Sequence, residues 1–323
     1  MRAVAFSKFG APHEVAEVVD LPEPTLRPGH VLVALEAAPI NPADLLNLQG
    51  KYGVVPPLPA LGGFEGVGRV TEVGDGVAQV KVGDRVLING GTWAERMVVP
   101  AGGLFALPAG LPAAQLAMLT INPLTARAML QQAGLGAGDF IIKNAANSGV
   151  GRVLFGLARR AGVHAIAVVR RPGLEDMLKA WGAAHVVVDG PDLADRVRAL
   201  VGAGSLKHGI DAIGGAATGR LAACLGGGGT VVNYGLLSGE ACQISGGDLV
   251  FRGIQLRGFW VARWLQTTPR EEIAAAFADL IGLLAAGELT TPIEATYPLS
   301  QVREALAHAA REGRGGKVIL RAD

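Results

Sequence analysis

Between the apolar run Phe140-Ile141-Ile142 and a helical pattern lies the segment Lys143-Asn144-Ala145-Ala146-Asn147-Ser148-Gly149-Val150-Gly151. Small residues, amides and a hydroxyl at the mouth of a helix suit one kind of chemistry. Backbone N–H groups and the positive end of the helix dipole there can receive the diphosphate of a dinucleotide. The G-x-G-x-x-G spacing that ends at Gly151 requires glycines at 146 and 148, where this chain has Ala146 and Ser148. The signal therefore rests on context, a strand before it and a helix and second strand after it. The bland alternative is a tight βα turn that binds nothing.

The next informative residues end that second strand. Val168-Val169-Arg170-Arg171-Pro172 carries no Asp or Glu to accept from ribose hydroxyls. Two guanidinium groups suit a 2′-phosphate, because Arg binds phosphate bidentately and keeps its charge. NADPH is thus the expected cofactor; the alternative is a solvated arginine pair.

The elements that must position these residues follow from periodicity. Up to about residue 120 the chain predicts short strands, at 31–35, 68–73, 85–88 and 94–99, separated by turn signals such as Arg27-Pro28-Gly29 and Lys81-Val82-Gly83-Asp84. After that the rhythm changes. Val150, Leu154, Leu157 and Ala161 fall on one helical face. Strand 165–169 follows, then helix 174–181, strand 185–188, helix 191–201, strand 209–213, helix 216–225 and strand 230–234. Strands alternating with helices predict a doubly wound parallel sheet of the Rossmann kind, with right-handed crossovers. A helix over about 270–286 and a strand at 317–320 complete the chain.

Composition narrows the function class. Of 323 residues half are hydrophobic and 18% charged, with a net charge of +1 and no block of like charge. Neither a nucleic-acid nor a membrane-surface role is expected from that balance. Cys224 and Cys242 are the only cysteines, too few for a disulfide framework or a Cys-rich zinc lobe. The N-terminus runs straight into a strand-like pattern, and no apolar stretch approaches a membrane span, so a cytoplasmic location is expected.

Several segments together resemble the medium-chain dehydrogenase/reductase superfamily along essentially the whole chain. They are Ile40-Asn41-Pro42-Ala43-Asp44, Gln49-Gly50-Lys51-Tyr52-Gly53, Leu61-Gly62-Gly63-Phe64-Glu65-Gly66, Ile121-Asn122-Pro123-Leu124-Thr125-Ala126, the Asn144–Gly151 turn and Leu256-Arg257-Gly258-Phe259-Trp260. Within the superfamily they are most similar to the metal-free quinone reductase and 2-enoyl thioester reductase branch. The resemblance implies a β-rich, GroES-like catalytic domain from residues 1–120 and 266–323, a Rossmann domain over 121–265, and a nicotinamide held in the cleft between them. It also implies a homodimer, with Ile254 to Val261 as the interface strand.

Zinc alcohol dehydrogenases of this superfamily carry a His in a Gly-His-Glu run and a Cys in the loop matching Asn41-Pro42-Ala43-Asp44. This chain has Phe64 and Asn41 there, so no metal is expected. Reversible alcohol oxidation then lacks its Lewis acid. Conjugate reduction needs a hydride donor, an electrophilic carbon and a proton source.

Tyr52 matches the tyrosine that enoyl thioester reductases use beside the substrate double bond; the alternative is an exposed loop tyrosine. A phenol, with an ordinary pKa of about 10, can donate to the α-carbon or bind a developing enolate. By the same resemblance Asn41, Asn122 and Thr125 lie near the nicotinamide, and Asn147, Ser148, Gly149 and Val150 cradle the diphosphate. Arg170 and Arg171 hold the 2′-phosphate. Tyr234, Gly235 and Leu236, then Phe259, Trp260 and Val261, line the cofactor, and Lys317 approaches it. Trp260 is equally a candidate for the acyl pocket, the core or an interface. Glu65 is expected to be partly buried, holding its Gly-rich turn through backbone hydrogen bonds, and Tyr297 to be structural. The implied reaction is reduction of a 2-enoyl thioester on CoA or acyl carrier protein. The alternatives are a quinone or enone reductase and a catalytically idle NADPH-binding protein.

Overall fold

The computed structural model describes residues 1–202 and 206–323. They form two compact units, one of residues 1–120 and 283–323, the other of residues 121–282.

The first unit contains β1 (Arg2–Phe6), α1 (Pro12–Val15), β2 (Glu17–Asp20), β3 (His30–Pro39), α2 (Pro42–Leu48), β4 (Ala60–Leu61), β5 (Glu65–Val73), β6 (Arg85–Asn89), β7 (Arg96–Pro100) and α3 (Ala113–Leu116). The second holds α4 (Asn122–Ala133), β8 (Phe140–Lys143), α5 (Gly149–Arg160), β9 (His164–Val169), α6 (Glu175–Trp181), β10 (Ala183–Val188), α7 (Leu193–Val201), β11 (Leu206–Asp211), α8 (Gly215–Cys224), β12 (Thr230–Asn233), α9 (Gly246–Val250), β13 (Gln255–Gly258) and α10 (Val261–Thr267). Helix α11 (Arg270–Ala285) leads back to β14 (Ile293–Pro298), α12 (Val302–Ala309) and β15 (Lys317–Arg321) in the first unit.

In the first unit β14-β15-β3-β5-β6 form one sheet, with β7 also on β3, and β2-β1-β4 form a second. Alternation along β3 sends Val31, Val33 and Leu35 into a core shared with Val4, Phe6, Ile88, Trp93 and, from the returning chain, Leu306 and Leu320. Burying each large side chain contributes roughly 1.5–3 kcal/mol. The strand expected at 94–99 starts only at Arg96, because Ala94 bridges to Ala3 instead.

In the second unit the strand order is β10-β9-β8-β11-β12-β13, all neighbours parallel. Strands after β8 run to one side of it (β9, β10) and then to the other (β11 onward), so the winding reverses between β8 and β11. A crevice at the carboxyl ends of two such strands is where open α/β sheets bind ligands. The strand expected at 209–213 is instead Leu206–Asp211. It stops there because the Asp211 carboxylate takes the N–H groups of Ile213 and Gly214 and turns the chain.

Two boundaries differ from expectation. The chain leaves the second unit at 282/283 rather than 265/266, since α11 is held to α4 by Arg127 with Asp279 and by Gln131 with Glu272. The edge strand covers only Gln255–Gly258: Ile254 is buried, and Val261 opens α10. No helix among the described residues is long and apolar enough to cross a membrane.

Candidate functional site

The turn after β8 is built from its own side chains. Asn144 donates through Nδ2 to Asp211 Oδ1 at 2.6 Å and accepts the Ala212 N–H at 2.8 Å, which ties the ends of β8 and β11 together. Ala145 takes a left-handed φ of 44°, and the Ser148 N–H returns to its carbonyl at 3.1 Å. Ser148 then caps α5, its Oγ accepting from the Gly151 N–H at 3.2 Å. A Cβ on Gly151 would lie 2.0 Å from the Ala146 carbonyl oxygen, so the last glycine of the pattern is fixed by close approach of backbone to backbone.

The sequence-predicted residues fall into place unevenly. Asn147 is exposed, whereas Val150 has its side chain in the core and offers only backbone to a ligand. Asn122 opens α4, and a Cβ on Gly149 would come 3.1 Å from its Nδ2. Thr125 is buried one turn on, its N–H bonded to the Ile121 carbonyl. Arg170 and Arg171 are exposed just past β9. Tyr234 follows β12, its N–H on the Asp211 carbonyl; burial raises its phenol, against a hydrogen bond with Ser148. Gly235 is half-buried and Leu236 exposed. Phe259 is buried, Val261 is half-buried, and Trp260, at 39% exposure, is not a core residue.

Sequence reasoning missed Asp211, which organises this end of the sheet. Its carboxylate accepts from Asn144, Thr218 Oγ1 at 2.6 Å, Asn233 Nδ2 at 3.0 Å and the Ile213 and Gly214 amides. Burial pushes its pKa up, but the donors outweigh burial and hold it below the ordinary carboxylate range. A charged residue inside an apolar strand pattern was the available signal.

The first unit holds a second polar cluster. Pro42 starts α2, and Asp44 reaches back to accept the Asn41 N–H at 2.7 Å, half of a capping box. The other Asp44 oxygen accepts the Phe64 N–H at 3.0 Å. Asp44 therefore holds the Gly-rich turn from α2. Glu65 is fully buried and accepts from Asn41 Nδ2 at 2.8 Å, and the Lys317 ammonium donates to Asn41 Oδ1. Asn41 is thus fixed on both ends of its amide. Burial, reinforced by the neighbouring Glu65 charge, raises Asp44 to about 7 against the two amides and Lys317. Burial lowers Lys317 to about 8, with Glu65 and Asp44 acting the other way.

Tyr52 lies past α2 with its ring 4.9 Å from that of Phe64 and its side chain half-buried. It is therefore neither an exposed loop residue nor part of the core. Tyr297 is structural, its hydroxyl 2.9 Å from His308 Nδ1, while His308 Nε2 meets Glu294 at 2.7 Å. Among the described residues no group of three His, Cys, Asp or Glu side chains is arranged to hold a metal ion.

Comparison with known proteins agrees with this layout. Residues 27–109 match the alcohol dehydrogenase GroES-like domain, and residues 149–280 match the zinc-binding dehydrogenase family. The chain is 34% identical over 99% of its length to the human mitochondrial enoyl-[acyl-carrier-protein] reductase, covering 88% of that protein. It is 31% identical to a structure of a proposed NADPH:quinone reductase from Bacillus thuringiensis, with a TM-score of 0.92 and coverage of 100% and 99%. The mitochondrial 2-enoyl thioester reductase heterodimer from Candida tropicalis, at 24% identity and a TM-score of 0.86 over 99% of both chains, shares the fold. The chain belongs to the medium-chain dehydrogenase/reductase superfamily, in its zinc-free enoyl thioester and quinone reductase branch.

Proposed function

We propose that this protein reduces the carbon–carbon double bond of a 2-enoyl thioester with NADPH. The observation that carries the reading is Tyr52: a half-buried phenol with its ring against that of Phe64, in a chain 34% identical over 99% of its length to an enoyl reductase. The turn after β8 fits a dinucleotide diphosphate, because the backbone crowding at Gly151 and the capped start of α5 leave amides at a helix N-terminus. Asn147, Ser148, Gly149 and Val150 would hold the diphosphate, Arg170 and Arg171 the 2′-phosphate, and Asn122 and Thr125 the nicotinamide end. When bound, a reduced nicotinamide supplies hydride for the β-carbon of the substrate.

The residues of the chain do the rest. Tyr52 delivers a proton toward the α-carbon, completing the addition of two hydrogens across the bond. Lys317 and Glu65 lock the Asn41 amide in one orientation from both sides.

The second reading, a quinone or enone reductase, is supported by the likeness to the Bacillus thuringiensis structure. Turnover of a 2-enoyl-CoA, a free enone and a quinone, measured side by side with NADPH and with NADH, separates them. Thioester reduction faster than quinone reduction, with NADPH preferred, supports the first reading. Quinone turnover with thioesters ignored overturns it, and tight NADPH binding without turnover of any acceptor marks an idle dinucleotide-binding protein.

The same reading extends to a homodimer formed along β13. All of Gln255–Gly258 are exposed on the sheet's last strand, and nearby Val250 and Phe251 are 73% and 88% exposed. Light scattering of the wild type and of Leu256→Pro tests this: a dimer that becomes a monomer is expected, and a wild-type monomer contradicts it.

A further inference from the structure

Lys143 ends β8 with none of its surface exposed. An ammonium is strongly hydrated and is almost never fully buried without a partner. Here its hydrogen bonds go to two carbonyls, Asn144 O at 2.8 Å and Ala145 O at 3.4 Å, and it lies 5.1 Å from the centre of the Tyr234 ring. The carboxylate that acts on it, Asp211, is already filled by Asn144, Thr218, Asn233 and backbone amides. Burial lowers Lys143 to about 7, with Asp211 acting the other way. The two carbonyls it grips belong to the residues that open the turn, including the left-handed Ala145.

We propose that Lys143 is a positioning residue for the dinucleotide, fixing the Asn144 and Ala145 carbonyls beneath the turn and supplying a buried positive charge that the bound diphosphate balances. The proposal rests on the reading of this turn as the dinucleotide site. It adds a switchable charge beneath the diphosphate, apart from the arginines at the 2′-phosphate. An anion brought close favours the charged form of an amine. Binding must therefore draw a proton onto Lys143 wherever the free protein has lost it. Among the described residues the titratable and charged groups facing it are Asp211, from the end of β11, and Tyr234, beyond β12; Asp211 is held ionised by its donors.

The test is calorimetry of NADPH binding in buffers of different ionisation heat, from about pH 6 to about pH 9. The wild type, Lys143→Gln and Lys143→Met are compared. Glutamine keeps a donor for the carbonyls and removes the charge. The wild type is expected to take up a fraction of a proton at the upper end of this range and almost none at the lower end. Lys143→Gln is expected to take up none and to bind NADPH about tenfold more weakly. Its urea midpoint should be unchanged or higher, because a buried charge is gone. Proton uptake or affinity in Lys143→Gln equal to wild type overturns the proposal and leaves the dinucleotide reading standing. A wild type that binds no dinucleotide overturns both.

Discussion

The two units each bury a carboxylate beside a lysine, and they treat it differently. In the second unit Asp211 has side-chain donors from Asn144, Thr218 and Asn233 plus backbone amides, and it stays ionised. In the first, Asp44 has two backbone donors and the like charge of Glu65 close by, and it is raised to about 7. Both are closed off from water; the depth of burial and the donors aimed at the charge together decide its state. The saturated cluster is suited to holding two strand ends rigidly. The under-supplied one keeps a raised carboxyl beside Asn41 and Lys317.

The sharpest way to break this contrast is at the residue that should do chemistry. Tyr52→Phe is expected to lower kcat for a 2-enoyl thioester by about 10²-fold or more while leaving the NADPH dissociation constant unchanged. Asp211→Ala strands several buried donors and should cost about 3 kcal/mol of stability in urea unfolding, with NADPH binding lost as well. Gly151→Ala places a methyl group against the Ala146 carbonyl and should cost about 1–3 kcal/mol and weaken NADPH, read by the same two measurements. Replacing Arg170 and Arg171 together by Ala should lower the NADPH-over-NADH preference in kcat/KM by about tenfold, with thermal stability unchanged.

The pH dependence of stability tests the other cluster. Asp44 titrates higher when folded than its ordinary value of 3.8. The native state therefore holds a proton that the unfolded chain has released, and stability should fall as pH rises from 3.8 to about 7. Lys143 and Lys317 are lowered to about 7 and about 8, so stability should rise again between about 7 and their ordinary 10.5. Urea midpoints across pH should show the first fall in wild type and lose it in Asp44→Asn.

What was legible in the sequence was periodic. The alternation of strands and helices after residue 120 and the apolar face of Val150, Leu154 and Leu157 place the parallel sheet and the turn at its centre. The Gly-rich motifs identify the family even with Ala146 and Ser148 in place of glycines. What was not legible was long-range. The pairing of Asn144 with Asp211 spans 67 positions, and that of Lys317 with Asn41 spans 276, so neither leaves a local pattern. The reach of Asp44 to the Phe64 amide of the Gly-rich turn, 20 positions away, was hidden for the same reason. The helical start at Val261 was hidden by the aromatic pair before it, which reads as strand.

The most direct test of the central claim is the fate of deuterium carried by the reduced nicotinamide. Wild-type protein turning over an unsaturated thioester should place that deuterium on the β-carbon, while a solvent-derived hydrogen arrives at the α-carbon. Product with no deuterium at the β-carbon, or no saturated thioester at all, would contradict it.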